Sequence, residues 1–206
     1  MKAFTWALVL IFIVAIFYLG TISKNNLDSL NSSQRFDKGL SIDKFPNSQE
    51  LHWPQMPVTY RFDNLTLCGK LVPKRIMDAF NQIQNETDNI ISFKEDNYSD
   101  SGITIYCFKI VPLGIEPGYI VSGEGGYSSQ GNLIVSGTLN FYNVKDYTYS
   151  PGCQIRPNVE VHEIFHTFGI QHVNKTGSIM NPIAANCIWN IDEDIINNLK
   201  RLYNSE

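Results

Sequence analysis

The chain has 206 residues and a formal net charge of −4 at pH 7, from 16 basic and 20 acidic side chains. No cluster of Lys and Arg marks a basic face, which argues against nucleic acid as a partner. About 150–180 residues remain beyond the first apolar segment, enough for one domain with its own core.

Residues 3–20 read AFTWALVLIFIVAIFYLG, without a charge. As a helix they span about 27 Å, close to the hydrocarbon thickness of a bilayer. A signal-peptide core is usually shorter and ends in an A-x-A-like site. A retained membrane anchor over 1–23 is therefore expected, although Thr21-Ile22-Ser23 would tolerate cleavage, which would release a secreted protein. Lys2 and Lys24 flank the segment on opposite sides and leave its orientation open. Residues 24–52 are polar and aperiodic and read as a stalk or linker, which leaves 53–206 as the folded unit.

Within that unit, Val58, Tyr60 and Phe62 alternate as a strand does. Pro73 opens a helix whose stripe is Ile76, Phe80 and Ile83. A short strand is expected at 90–93, a polar loop at 96–102 and a buried strand at 103–108. Residues 119–135 contain GEGG and SSQG and read as irregular edge-strand material with turns. Another strand follows at 139–142, then a helix over 158–168 that Gly169 stops. The last helix is expected to start from a capping box of Asn190 and Glu193, with Ile195, Ile196, Leu199 and Leu202 as its stripe. This order suggests an α/β sheet sandwich with a helical C-terminal part.

Cys68, Cys107, Cys153 and Cys187 are even in number and contain no CxxC pair. Behind an export segment they read as two disulfides rather than thiols, with three pairings open. Sequons stand at Asn31, Asn64, Asn85, Asn97 and Asn174, but the chain is rich in Asn and about half of them are expected by chance.

The chemistry lies in residues 162–172, HEIFHTFGIQH. His162 and His166 are four apart, so on a helix they differ by about 40° and about 6 Å and share a face. Two imidazoles so placed can hold one Zn²⁺, and Glu163 is placed to reach the attacking water rather than the metal. His172 would be carried about 240° round and about 9 Å along if the helix continued. The chain must therefore break and return, and Gly169 stands where a left-handed residue is needed. Three protein ligands leave a zinc position open, the mark of a catalytic site. The HExxH pattern alone also fits an ordinary surface helix, but the glycine and third histidine at fixed spacing weigh against that reading. Glu163 and the lack of a fourth ligand weigh against a closed structural site.

The extended pattern resembles that of the metzincin metallopeptidases, whose Met-turn beneath the zinc is matched by Ser178-Ile179-Met180-Asn181-Pro182. Within that clan the likeness is to the matrixins, carried over 53–203 by PVTYRF, PKRIMDAFNQI leading into ISF, the Met-turn spacing and NIDEDIINNLKRLY. Val173 and Asn181 depart from it, standing where matrixins usually have Ser and Tyr. The resemblance implies an α/β (α+β) metzincin fold. Its parts are a twisted, mostly parallel sheet of about five strands with an antiparallel edge strand, an active-site helix, a Met-turn and a C-terminal helix. It also implies a structural role for Met180, Pro182 and Gly169, and one catalytic Zn²⁺ on His162, His166 and His172, with Glu163 as base.

The second, three-histidine zinc site that matrixins often carry could not be built in the same way here, because His52 is the one histidine left over. No cysteine-switch segment is evident, since the stalk lacks Cys. Calcium stays unassigned: Asp96, Asp100 and Gly102 read as a solvated turn rather than a calcium loop. In the resembled family substrate lies extended along an edge strand, here within 119–135, and residues 182–191 would wall the specificity pocket. The same loop would bring Cys187 near Cys153, implying Cys153–Cys187, and Cys68 and Cys107 would flank neighbouring strands, which favours Cys68–Cys107. The expected activity is endopeptidase cleavage of extracellular or cell-surface proteins and peptides. A zinc-bearing adhesion module without proteolysis is the alternative. An intramembrane protease is disfavoured, because polar residues flank the HExxH helix.

Overall fold

The alternation at the start of the folded unit becomes β1 (Val58–Phe62), with Val58 and Tyr60 turned into the core. The computed structural model describes residues 51–99, 101–109, 123–142, 157–182 and 191–204, all within a unit spanning 42–206. The expected anchor, residues 24–50 of the expected stalk, Cys153, Cys187, Asp100, Asn190, most of the expected pocket loop and the start of the edge-strand segment lie outside the described residues. Among the described residues no helix is long and apolar enough to cross a membrane.

After β1 come two helices, α1 (Leu65–Cys68) and α2 (Leu71–Glu86). Three strands follow, β2 (Phe93–Glu95), β3 (Gly102–Phe108) and β4 (Gly123–Gln130). The order closes with β5 (Leu133–Tyr142), α3 (Asn158–His166) and α4 (Glu193–Tyr203). The sheet order is β2-β1-β3-β5-β4. β1 runs parallel to β2 and β3, and β3 runs parallel to β5. At the edge, β4 pairs antiparallel with β5. The expected α/β architecture, mostly parallel with one antiparallel edge, is the one observed.

Parallel neighbours require a crossover, and α2 provides the one between β1 and β2. Its Val72, Ile76, Ala79, Phe80 and Ile83 are buried in one cluster with Val58, Tyr60, Ile103 and Ile105 of the sheet. Phe80 packs between Tyr60 and Phe93, at centroid distances of 4.6 and 4.2 Å. Each such aliphatic or aromatic side chain contributes about 1.5–3 kcal/mol on burial. Val161, Ile164 and Phe165 of α3 join the same cluster, so the helix that bears the histidines rests on the main core. Trp53 is buried too, and its backbone N–H donates to the Tyr203 hydroxyl at 2.7 Å, tying the start of this segment to α4.

Cys68 and Cys107 form a disulfide between α1 and β3, as the resemblance implied. Beside it the Asn64 side chain acts as a substitute strand partner. Its Nδ2 donates to the Cys107 carbonyl at 3.1 Å, and its Oδ1 accepts from the Cys107 N–H at 2.9 Å.

Several sequence expectations shift. The short strand lies at Phe93–Glu95 rather than 90–93, because Asp88 and Asn89 take left-handed conformations (φ 54° and 61°) and turn the chain out of α2. Asp and Asn tolerate that region better than other side-chain-bearing residues. Ile91 is apolar because it fills the core behind this turn, where its N–H donates to Thr87 Oγ1. α2 begins at Leu71, with Pro73 inside the first turn, where no N–H is needed. α1 was not anticipated. β5 starts six residues earlier than the 139–142 expected, and α3 ends at His166 rather than Phe168. The helix α4 is preceded by Asp192, so Glu193 is its first residue and the expected capping box with Asn190 is not the one used.

α2 and α3 are joined by a buried ion pair. Arg75 Nε and Nη2 meet Glu160 Oε1 and Oε2 at 2.7 and 3.0 Å, with the side chains 5% and 0% exposed. Removing one member of such a pair strands a buried charge, at a cost of about 3–5 kcal/mol. Arg75→Met should therefore lower unfolding stability by that order in a urea titration. Adding Glu160→Leu to it should recover part of the loss rather than add to it.

Candidate metal centre

His162 and His166 project from one face of α3 as their spacing requires. The helix then ends: Gly169 adopts φ 78°, and the Ile170 N–H folds back to the Phe165 carbonyl at 3.2 Å. This reversal delivers His172. The Nε2 atoms of His162 and His172 lie 3.0 Å apart, and that of His166 lies 3.1 Å from each. Among the described residues these three side chains form the group able to hold a metal ion.

The opposite ring nitrogens explain why the triangle is ordered. His162 Nδ1 donates to the Ile179 carbonyl at 2.6 Å, and His166 Nδ1 to the Ile170 carbonyl at 2.7 Å. With its proton committed on Nδ1, each ring presents a bare lone pair at Nε2. Burial drives the His162 pKa down to about 4, aided by His172 and opposed by the Ile179 carbonyl. Burial likewise lowers His166 to about 3, with help from His162 and His172, and it also lowers His172. At neutral pH these are neutral imidazoles whose Nε2 atoms are aimed at a common point. The Nε2 atoms of His162 and His166 are bare acceptors that cannot bond to each other, and an ion about 2 Å from each of the three nitrogens fits a triangle of this size. The donor set and its spacing therefore suit Zn²⁺.

Glu163 is 7% exposed and lies against β4. Burial pushes its pKa up to about 8; Glu124 and Glu160 push the same way, and the Gly125 N–H that donates to its carboxylate opposes them. A dication at the adjacent triad acts as this N–H does and favours the ionised form. β4 can approach so closely because it lacks side chains there. A Cβ on Gly123 would come within 2.9 Å of Glu163 Cγ, and one on Gly125 would collide with the Glu163 backbone carbonyl.

Beneath the triad, Met180 is fully buried and its carbonyl accepts the Val173 N–H at 3.0 Å. The direct link from this turn to the metal centre is the neighbouring Ile179 carbonyl on His162. Pro182 lies exposed at the end of the turn. Asp96 belongs to a turn in which its Oδ1 accepts the Tyr98 N–H at 3.0 Å, and Gly102 has φ 112° with Thr59 packed against its Cα.

Sequence reading had not singled out Gly125, Glu160, Arg75, Asp192 or the two carbonyls. The glycines carried a signal, since Gly123 and Gly125 at a spacing of two must face the same way from a strand. The carbonyls carried none, because every residue has one.

A mostly parallel sheet with one antiparallel edge, an HExxH helix broken at a glycine, and a buried Met-turn under three converging imidazoles define a zinc-peptidase architecture of the metzincin class. The matrixin family model matches residues 52–204, and the chain belongs to that family. It is accordingly a zinc metallopeptidase in its general class. No curated protein gives a significant match.

Gly123→Ala places a Cβ against Glu163 Cγ and should displace the Glu163 carboxylate while leaving the histidines in place. Zinc content should stay at the wild-type level, and peptide turnover should fall by about 100-fold, the order expected of a misplacement near 1 Å. Metal analysis alongside a fluorogenic peptide assay checks both halves.

Proposed function

We propose that this chain is an endopeptidase that hydrolyses extracellular or cell-surface proteins. In this reading His162, His166 and His172 hold one zinc ion and Glu163 is the general base. The observation that carries the proposal is the meeting, on one short helix and the turn after it, of three neutral imidazoles and a buried carboxylate steadied by a backbone N–H. When bound, zinc supplies Lewis acidity toward the scissile carbonyl and acidifies water.

Glu163 takes a proton from the attacking water on its carboxylate and delivers it to the nitrogen of the leaving amine. The Gly125 N–H keeps that carboxylate aimed. β4 is the edge of the sheet and runs beside Glu163, so an extended substrate would pair with its backbone and gain affinity with little demand on side-chain sequence. Gly169 gives the reversal that brings in His172, and the segment with Met180 and Pro182 floors the site. Residues 1–23 serve as a membrane anchor, 24–52 as a stalk and 53–206 as the catalytic domain facing the extracellular side. The Cys68–Cys107 disulfide favours such an oxidising compartment. A zinc-bearing adhesion module would have no use for a buried carboxylate borne on the metal-binding helix next to its first histidine.

Glu163→Gln separates the two readings. It should retain one zinc per chain and lose about 10²–10⁴-fold in cleavage of a denatured protein substrate, the range a general base contributes. Turnover equal to that of the wild-type protein, or wild-type turnover insensitive to a chelator, would rule out the mechanism.

A further inference from the structure

Asp192 stands at the N-terminus of α4, where an aspartate is expected to accept hydrogen bonds from the first turn of its own helix. It does not: no side-chain capping bond is made, and only its backbone carbonyl engages the helix, receiving the Ile195 and Ile196 N–H groups at 3.0 and 3.2 Å. The carboxylate turns the other way, into the segment beneath the histidines. Its Oδ2 accepts both the Ser178 hydroxyl and the Ile179 N–H, each at 2.9 Å. The side chain is 8% exposed, and Lys175 Nζ, 3.5 Å from Oδ1 and 63% exposed, adds little.

The two bonds on Oδ2 propagate. Ile179 holds Asp192 with its N–H and His162 Nδ1 with its carbonyl. Ser178, its proton committed to the carboxylate, offers a lone pair to the Met180 N–H at 3.1 Å. Met180 in turn receives the Val173 N–H, next in sequence to His172. One carboxylate thus fixes three consecutive residues that brace His162 directly and His172 through its neighbour. Ser178 and Met180 are both fully buried, so water does not replace these bonds when they are lost.

We propose that Asp192 is a positioning residue of the metal centre, its carboxylate locking the 178–180 turn so that His162 and His172 are held at the triad. This rests on the reading of the triad as a zinc site. Groups bonded directly to a metal's ligands typically change its affinity by about 10- to 100-fold when lost, and Asp192 acts one bond further out, through the Ile179 peptide.

The test uses the full chain and measures Zn²⁺ affinity by competition with a chromogenic chelator, together with the visible spectrum of the Co²⁺-substituted protein. Asp192→Ala should weaken zinc binding by about 10-fold, the lower end of that range, and alter the Co²⁺ bands. Asp192→Asn keeps one acceptor oxygen and should lie between it and the wild type. Glu193→Ala removes an exposed carboxylate from the same first turn of α4, so it perturbs the helix end without touching the 178–180 segment. It should leave both readouts unchanged.

Zinc affinity in Asp192→Ala within about twofold of the wild type, or an equal loss in Glu193→Ala, overturns the proposal; the second result would mean that Asp192 acts only through the stability of α4. Should Asp192→Ala fail to fold, Asp192→Asn and Ser178→Ala carry the same comparison, and wild-type affinity and spectra in both overturn it. Absence of zinc binding by the wild-type chain would remove the triad reading itself, and this proposal with it. Normal zinc binding by the wild type and by Asp192→Ala alike would remove only this one.

Discussion

Three imidazole nitrogens lie within 3.1 Å of one another, and the lone pairs that His162 and His166 turn inward repel in the absence of a cation. A folded chain keeps such an arrangement only if other bonds hold the rings against that repulsion. Here the Ile170 and Ile179 carbonyls do so for two of the rings, fixing the tautomer as well as the orientation. The convergence also depends on the reversal at Gly169, whose φ of 78° a side-chain-bearing residue adopts only with strain. Most of the remaining structure serves to keep these few bonds in register.

That support comes from three directions. α3 is pinned from below by the apolar cluster of Val161, Ile164 and Phe165, and from the side by the buried Arg75–Glu160 pair two residues before the first histidine. From above, the glycines of β4 let the sheet edge touch the helix at Glu163 itself. From the C-terminal side, Asp192 reaches back from α4 to the turn under the metal centre. Glu163 shares α3 with His162 and His166, but its side chain is what a Cβ on Gly123 would meet, which is why a change there can move the carboxylate and spare the imidazoles.

Much of this was legible in the sequence where chemistry and local geometry coincide. The 162–172 segment told its own story, because ligand spacing, helix periodicity and the conformational freedom of one glycine all act over a few residues. The stripes of α2 and α4 and the alternation in β1 and β3 were readable for the same reason. What failed was non-local. The alternation of β5 is hidden at Gly137, where a Cβ would come within 3.2 Å of the Trp53 ring, so a residue 84 positions away occupies the space of the missing side chain. The capping box at Asn190 and Glu193 was a sound local pattern, but the helix starts at Glu193, behind Asp192, whose carboxylate is claimed by a turn 13 residues earlier. Ile91 suggested a strand and instead fills the core behind a left-handed turn. In each case a contact distant in sequence outweighed a correct local preference.

The central claim is that His162, His166 and His172 share one metal ion and leave it an open position. X-ray absorption at the zinc edge of the loaded protein tests this most directly. The account predicts one zinc per chain with three imidazole nitrogens and one further light atom at about 2 Å. A shell with two or fewer imidazoles, one containing sulfur, or zinc bound without fixed stoichiometry would contradict it.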